Sequence, residues 1–196
     1  MKYITFKNKS QMKTKNVLIV AAIIISGILN VNGAFAQTPT NADNVTLNIK
    51  LNPIQTITVN AGQKEVNIIY SSIDDYTNGV SVPQDDHIQV FSTGGFQVKV
   101  NSAASLTNDK GTGIDATDVT VLATNGTANS VKNTIVDAVA LGSEQTLIAS
   151  ATGGRNLNYN VTYNNTLGAA DKYLNLYDKD ANNVFKAEVT YTIIAN

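Results

Sequence analysis

The chain has 196 residues, with 14 basic against 15 acidic, no cysteine, no tryptophan and one histidine. Without cysteine there are no disulfide staples, no thiolate metal sites and no lipid-modified N-terminal cysteine. Lys2, Lys7, Lys9, Lys13 and Lys15 crowd the start; beyond them 9 basic residues face 15 acidic ones, and a net charge of about −6 argues against nucleic acid and against an anionic membrane surface.

Residues 1–36 read as a signal peptide. The basic start precedes an apolar run over residues 17–29, and Ala34-Phe35-Ala36 supplies the small-x-small pattern of a cleavage site, leaving Gln37 first. That run is short for a permanent helix across a hydrocarbon layer about 30 Å thick, so no integral membrane span is expected after cleavage. The remaining 160 residues are enough for one domain with a core of its own.

Residues 37–44 form a polar, flexible tail. Residues 45–51 then alternate, with Val45, Leu47, Ile49 and Leu51 on one face, until Pro53 interrupts the pattern because proline cannot donate to a central ladder. Residues 54–59 resume it, Asn60-Ala61-Gly62 is a turn, and residues 66–70 read as a short apolar strand. Residues 71–86 read as loop, with one short strand near Val80. Residues 87–91 and 96–100 are strands joined across Ser92-Thr93-Gly94-Gly95, the sharpest hairpin signal in the chain. After a polar excursion over 102–118, strands are expected at 119–123, 145–150, 157–163 and 173–177. Residues 133–141 fit strand or short helix, and β-branching favours strand.

The closing stretch, 184–194, carries the clearest pattern. Phe185, Ala187, Val189, Tyr191 and Ile193 alternate with Lys186, Glu188, Thr190 and Thr192, so one face is buried and the other wet. At about 3.3 Å per residue it spans roughly 35 Å, enough for a principal strand. Many short, regularly spaced strands and no helix in the mature chain predict an all-β fold. The expected form is a single antiparallel β-sandwich, Greek-key or immunoglobulin-like, over residues 45–196.

Chemistry is sparse. There is no Gly-x-Ser-x-Gly elbow and no phosphate-cradling loop, so no enzyme and no cofactor are expected. The only histidine, His87, reads as a strand-edge residue, since neighbouring Asp86 cannot face it along an extended strand. Asp178-Lys-Asp-Ala-Asn-Asn begins like a calcium loop. Its sixth residue is Asn183 rather than glycine and its twelfth is Val189, so it reads as an Asx-rich turn around Asp178 and Asp180. Asp74 and Asp75 with Asp85 and Asp86 are carboxylate pairs that could converge on calcium, and solvated loop carboxylates are the plainer reading. Among the tyrosines, Tyr159 with Tyr163 and Tyr173 with Tyr177 sit at spacings that share a strand face. Each pair could form a platform for a sugar, against the plainer reading of core-edge packing.

Two stretches together resemble the WxL cell-wall-binding domain of bacterial surface proteins. Gly95-Phe96-Gln97-Val98 stands where that family has its first Trp-x-Leu, and Tyr191-Thr192-Ile193 stands at the second, near the C-terminus. Phe96 and Tyr191 replace the tryptophans, and Val98 and Ile193 the leucines. The resemblance implies a non-enzymatic protein held non-covalently at the cell surface on peptidoglycan or another cell-envelope glycan. The closing strand also resembles those of secreted fimbrial-subunit-like sandwiches. That implies a fibre-forming subunit whose partners are other surface-protein subunits, with residues 45–51 as the donated strand.

Overall fold

The computed structural model describes residues 43–127, 129, 134–135, 137–166 and 171–196. The expected signal peptide, 1–36, and residues 37–42 of the expected tail lie outside them. The chain divides into two units, Met1–Ile49 and Lys50–Asn196. In the first, the described residues have no regular secondary structure, and Val45, Leu47 and Ile49 are 93%, 83% and 81% exposed. Leu51, at the start of the second unit, is 87% exposed. The strand expected at 45–51 is therefore absent: alternation makes a segment fit for a ladder, and a ladder still needs a partner.

The second unit is all-β. Its strands are β1 (Gln55–Val59), β2 (Ser81–Ser92), β3 (Phe96–Ser102), β4 (Ser105–Thr107), β5 (Gly113–Asp115), β6 (Thr120–Asn125), β7 (Thr134–Ile135), β8 (Val139–Ala140), β9 (Gln145–Ser150), β10 (Gly154–Asn164) and β11 (Val189–Ala195). All pair antiparallel, in one sheet ordered β1-β2-β10-β6-β8, a second ordered β11-β3-β9-β7 and a small β4-β5 hairpin. Both sheets feed one core. Ile88, Val90, Leu157, Tyr159 and Val161 come from the first, and Phe96, Val98, Val100, Leu147 and Ile148 from the second, all with no exposed surface. The hairpin expected across residues 92–95 does not form: β2 pairs with β1 and β10, and β3 with β11 and β9. This turn instead carries the chain from one sheet to the other, and Gly153 sits against it. A Cβ there would run into the Ser92 carbonyl oxygen, so only glycine allows the β9–β10 turn to cross the β2–β3 turn so closely.

Several expectations fall in instructive ways. Residues 71–86 are not all loop: α1 (Ile73–Asn78) is a helix started by a capping box. Ser72 accepts from the Asp75 amide while the Asp75 carboxylate accepts from the Ser72 amide. Residues 66–70 keep alternating burial but join no strand, and 173–177 form turns. The closing strand begins at Val189. Ahead of it, 184–188 is joined to the β4–β5 hairpin by the mutual backbone bonds of Lys186 and Thr107. In 133–141 the described residues include two short strands, β7 and β8.

His87 is not at an edge. β2 lies between β1 and β10, and a bulge around Asp86, at φ 47°, shifts the register so that His87 and Ile88 are both buried. Three of the candidate calcium carboxylates are engaged in hydrogen bonds. Asp75 caps α1, Asp86 accepts from the Thr127 amide and hydroxyl, and Asp178 accepts from the Asp180 amide in the Asx turn. Among the described residues no group of three or more His, Asp or Glu is placed to hold a metal.

Candidate functional site

An open apolar groove runs along the side of the molecule where the edge strands β1 and β11 approach each other. One wall is an extended strap, residues 64–70; the other is residues 184–191. Two spaces of about 480 and 530 Å³ share Val66, Ile68, Leu106, Val119 and Phe185, and together form the groove. Inward residues of both walls, Val66, Ile68, Tyr70, Phe185, Ala187, Val189 and Tyr191, are only half-buried. Ile69, Tyr177 and Val184 on the rim are 64%, 74% and 48% exposed. Contiguous exposed apolar surface of this kind is costly in water.

The strap is held by its ends. At its head the 3-10 turn Ala61–Gln63 is capped by Asn60, whose side chain accepts from the Gly62 amide, and Gln63 donates to the Asp85 carbonyl at 2.9 Å. At its foot Tyr70 packs edge-on against Tyr76 and Tyr173, with centroids 5.2 and 5.4 Å away, and donates to the Asn165 side-chain oxygen. Between these points, no backbone hydrogen bond is recorded for residues 64–70 among the described residues. The strap therefore has strand-like side-chain packing without a ladder.

Below the foot lies a buried polar network. Asp118, 4% exposed, pairs with Lys172 and accepts from the Tyr173 hydroxyl at 3.0 Å. Asn165 donates to the Asp118 carbonyl at 3.1 Å and to Tyr173 at 2.9 Å. Burial, with the nearby charges of Asp118 and Asp75, pushes Tyr70 up to about 12, and burial raises Tyr173 as well. Both phenols stay protonated, so this end offers hydroxyls and amides rather than charge.

Below the head, His87 Nδ1 lies 3.0 Å from the Gln63 side-chain oxygen and Nε2 lies 3.0 Å from the Tyr163 hydroxyl, which is 2.7 Å from that of Tyr191. The groove rim here carries Lys64, Glu65, Lys186 and Glu188.

The sequence-derived site residues part company. Phe96, Val98 and Tyr159 have no exposed surface and Tyr163 is 6% exposed, so Tyr159 and Tyr163 share the inner face and offer no surface platform. Tyr191 lines the groove and Ile193 packs half-buried on the core. Tyr173 and Tyr177 both line the groove's foot, brought there by turns rather than by a shared strand, together with Tyr70 and Tyr76. Sequence reasoning missed Gln63, Asp118, Asn165 and Lys172. Their only signal was polarity, which becomes informative once burial is known. The chain matches no protein-family model, and no curated protein matches it in sequence.

Proposed function

We propose that this is a non-catalytic, exported bacterial cell-surface protein built as a β-sandwich, and that it assembles through the groove by accepting residues 45–51 of a neighbouring copy. The observation that carries this reading is the exposure of Val45, Leu47, Ile49 and Leu51, four alternating apolar side chains at 81–93%, in a chain whose described residues also form an open apolar groove. The pieces are matched in length. Seven residues span about 23 Å as a strand, and the wall 184–191 about 26 Å. They are matched in pattern, since the walls are apolar at every second residue.

Burying four such side chains contributes about 6–12 kcal/mol, and association costs about 4–15 kcal/mol. Side chains alone therefore leave little surplus. Ladder bonds decide, at about 0.5–1.5 kcal/mol each, and Val189 and Tyr191 at the start of β11, which ends its sheet, line the groove where they would be supplied.

Sedimentation and electron microscopy of the secreted protein test this. Concentration-dependent chains are expected from the native sequence, and folded monomers from the double variant Leu47→Asp, Ile49→Asp. Native protein that stays monomeric at high concentration overturns the reading. A second reading keeps the groove and changes its occupant to a cell-envelope glycan. It is favoured by the four tyrosines and two amides, Asn165 and Asn183, at the groove's foot. Retention on purified peptidoglycan, lost in Tyr177→Ala, would select it.

A further inference from the structure

His87 is the chain's only histidine, and its ring lies in the floor of the half of the groove bounded by the head of the strap and by residues 184–191. It is 2% exposed. An amide oxygen only accepts, so the 3.0 Å contact with Gln63 places the ring proton on Nδ1. Nε2 then accepts from the Tyr163 hydroxyl, which in turn accepts from Tyr191. This relay ties the two walls together: Gln63 heads the strap and Tyr191 belongs to β11. Tyr163 and Tyr191 also turn their ring edges to the imidazole, with centroids 5.7 and 5.9 Å away.

A second proton on the ring would find acceptors, because the Tyr163 hydroxyl can rotate, but it would find no counter-ion. From β10 and β11 the ring is faced by the phenols Tyr163 and Tyr191, and from the strap by the Gln63 amide. Glu65, Glu188, Lys64 and Lys186 lie on the exposed rim. Next to it in β2, Asp86 is turned to Thr127, and Asp85 is exposed. Water entering the groove is therefore what would solvate a charged His87, and an apolar strand in the groove removes that water.

We propose that His87 gates the groove by pH: the groove holds an apolar strand while the ring is neutral and releases it when the ring is protonated. The proposal rests on the reading of the groove as a strand-binding site. Its sign follows from linkage. A strand that disfavours the charged ring holds His87 at a lower pKa in the filled groove than in the empty one. Affinity then falls by up to about tenfold for each pH unit below the empty groove's pKa. Burial already lowers His87 from the usual histidine range in the empty groove, so release begins on the acid side of about pH 6.5.

The test uses the full secreted chain carrying Leu47→Asp and Ile49→Asp, so that it cannot donate, with a labelled peptide of residues 43–53 as probe. Anisotropy titrations from about pH 7.5 downward should show affinity falling as the ring protonates, by up to about tenfold per pH unit, and a flat profile in His87→Gln. The single histidine ring signal in proton NMR should titrate at lower pH when the peptide saturates the groove than when it is empty. This second readout stands if His87→Gln fails to fold. Peptide that binds equally across the range, or a ring that titrates identically in both states, overturns the gate and leaves strand binding standing. Peptide that binds at no pH overturns both.

Discussion

The closed half of the core and the open groove are built from the same kind of sequence. In β3 the pattern Phe96, Val98, Val100 is wholly buried, because β3 has β11 on one side, β9 on the other and the opposite sheet across from it. In the strap the pattern Val66, Ile68, Tyr70 stays half-exposed and in no strand, because no neighbour completes its ladder. Residues 45–51 are the extreme case, the same alternation at nearly full exposure. Alternation thus specifies a face, and neighbours on each side decide whether that face becomes core.

That contrast can be broken by substitution, and the largest effect belongs to the closed half. Phe96→Ala should cost about 3–5 kcal/mol and lower the Tm sharply, since Phe96 is sealed between two strands. A loss under about 1 kcal/mol in chemical denaturation would mean that the closed half is no tighter than the groove. Asp118→Ala should cost about 1–3 kcal/mol by leaving Tyr173 and the Lys172 ammonium without their acceptor beneath the strap's foot. The same variant should speed hydrogen exchange around Tyr70 more than in β3, which separates a local anchor from a global one. Phe185→Ala, on a half-buried groove wall, should cost about 1–2 kcal/mol in the monomer. Its larger effect should be on assembly, read by sedimentation. Ser72→Ala removes the cap of α1 and should cost about 1 kcal/mol.

The smallest effect is of pH on the isolated monomer. His87 is held below its ordinary value by burial, so the fold favours the neutral ring. Stability from this group is fully present above the unfolded pKa of about 6.5 and declines as pH falls below it, because the unfolded chain takes up the proton first. Thermal melts between about pH 7.5 and about pH 5 should show this decline in the native chain and not in His87→Gln.

Much of the β architecture was legible in the sequence. The turn at residues 92–95, the strand at 145–150 and the closing strand from Val189 are each carried by local alternation and turn chemistry, which act within a few residues. The hairpin expected at that turn fails because its two strands join different sheets. The helix α1 was missed, although Ser72 and Asp75 stand at capping-box spacing, because no apolar periodicity supports so short an element. His87 was misread for a different reason: a bulge at Asp86 re-aims it, and bulges follow from pairing between distant strands. The tyrosines divide in the same way. Sequence spacing put Tyr159 with Tyr163 and Tyr173 with Tyr177, but burial sent the first pair into the core and the turns carried the second to the groove. What the sequence determined by itself, then, is which faces are apolar, since side-chain chemistry and the two-residue period are local. Which of those faces is covered was decided only by tertiary structure, because covering one requires a partner from elsewhere in the chain. For residues 45–51, on the reading proposed above, that partner comes from another copy.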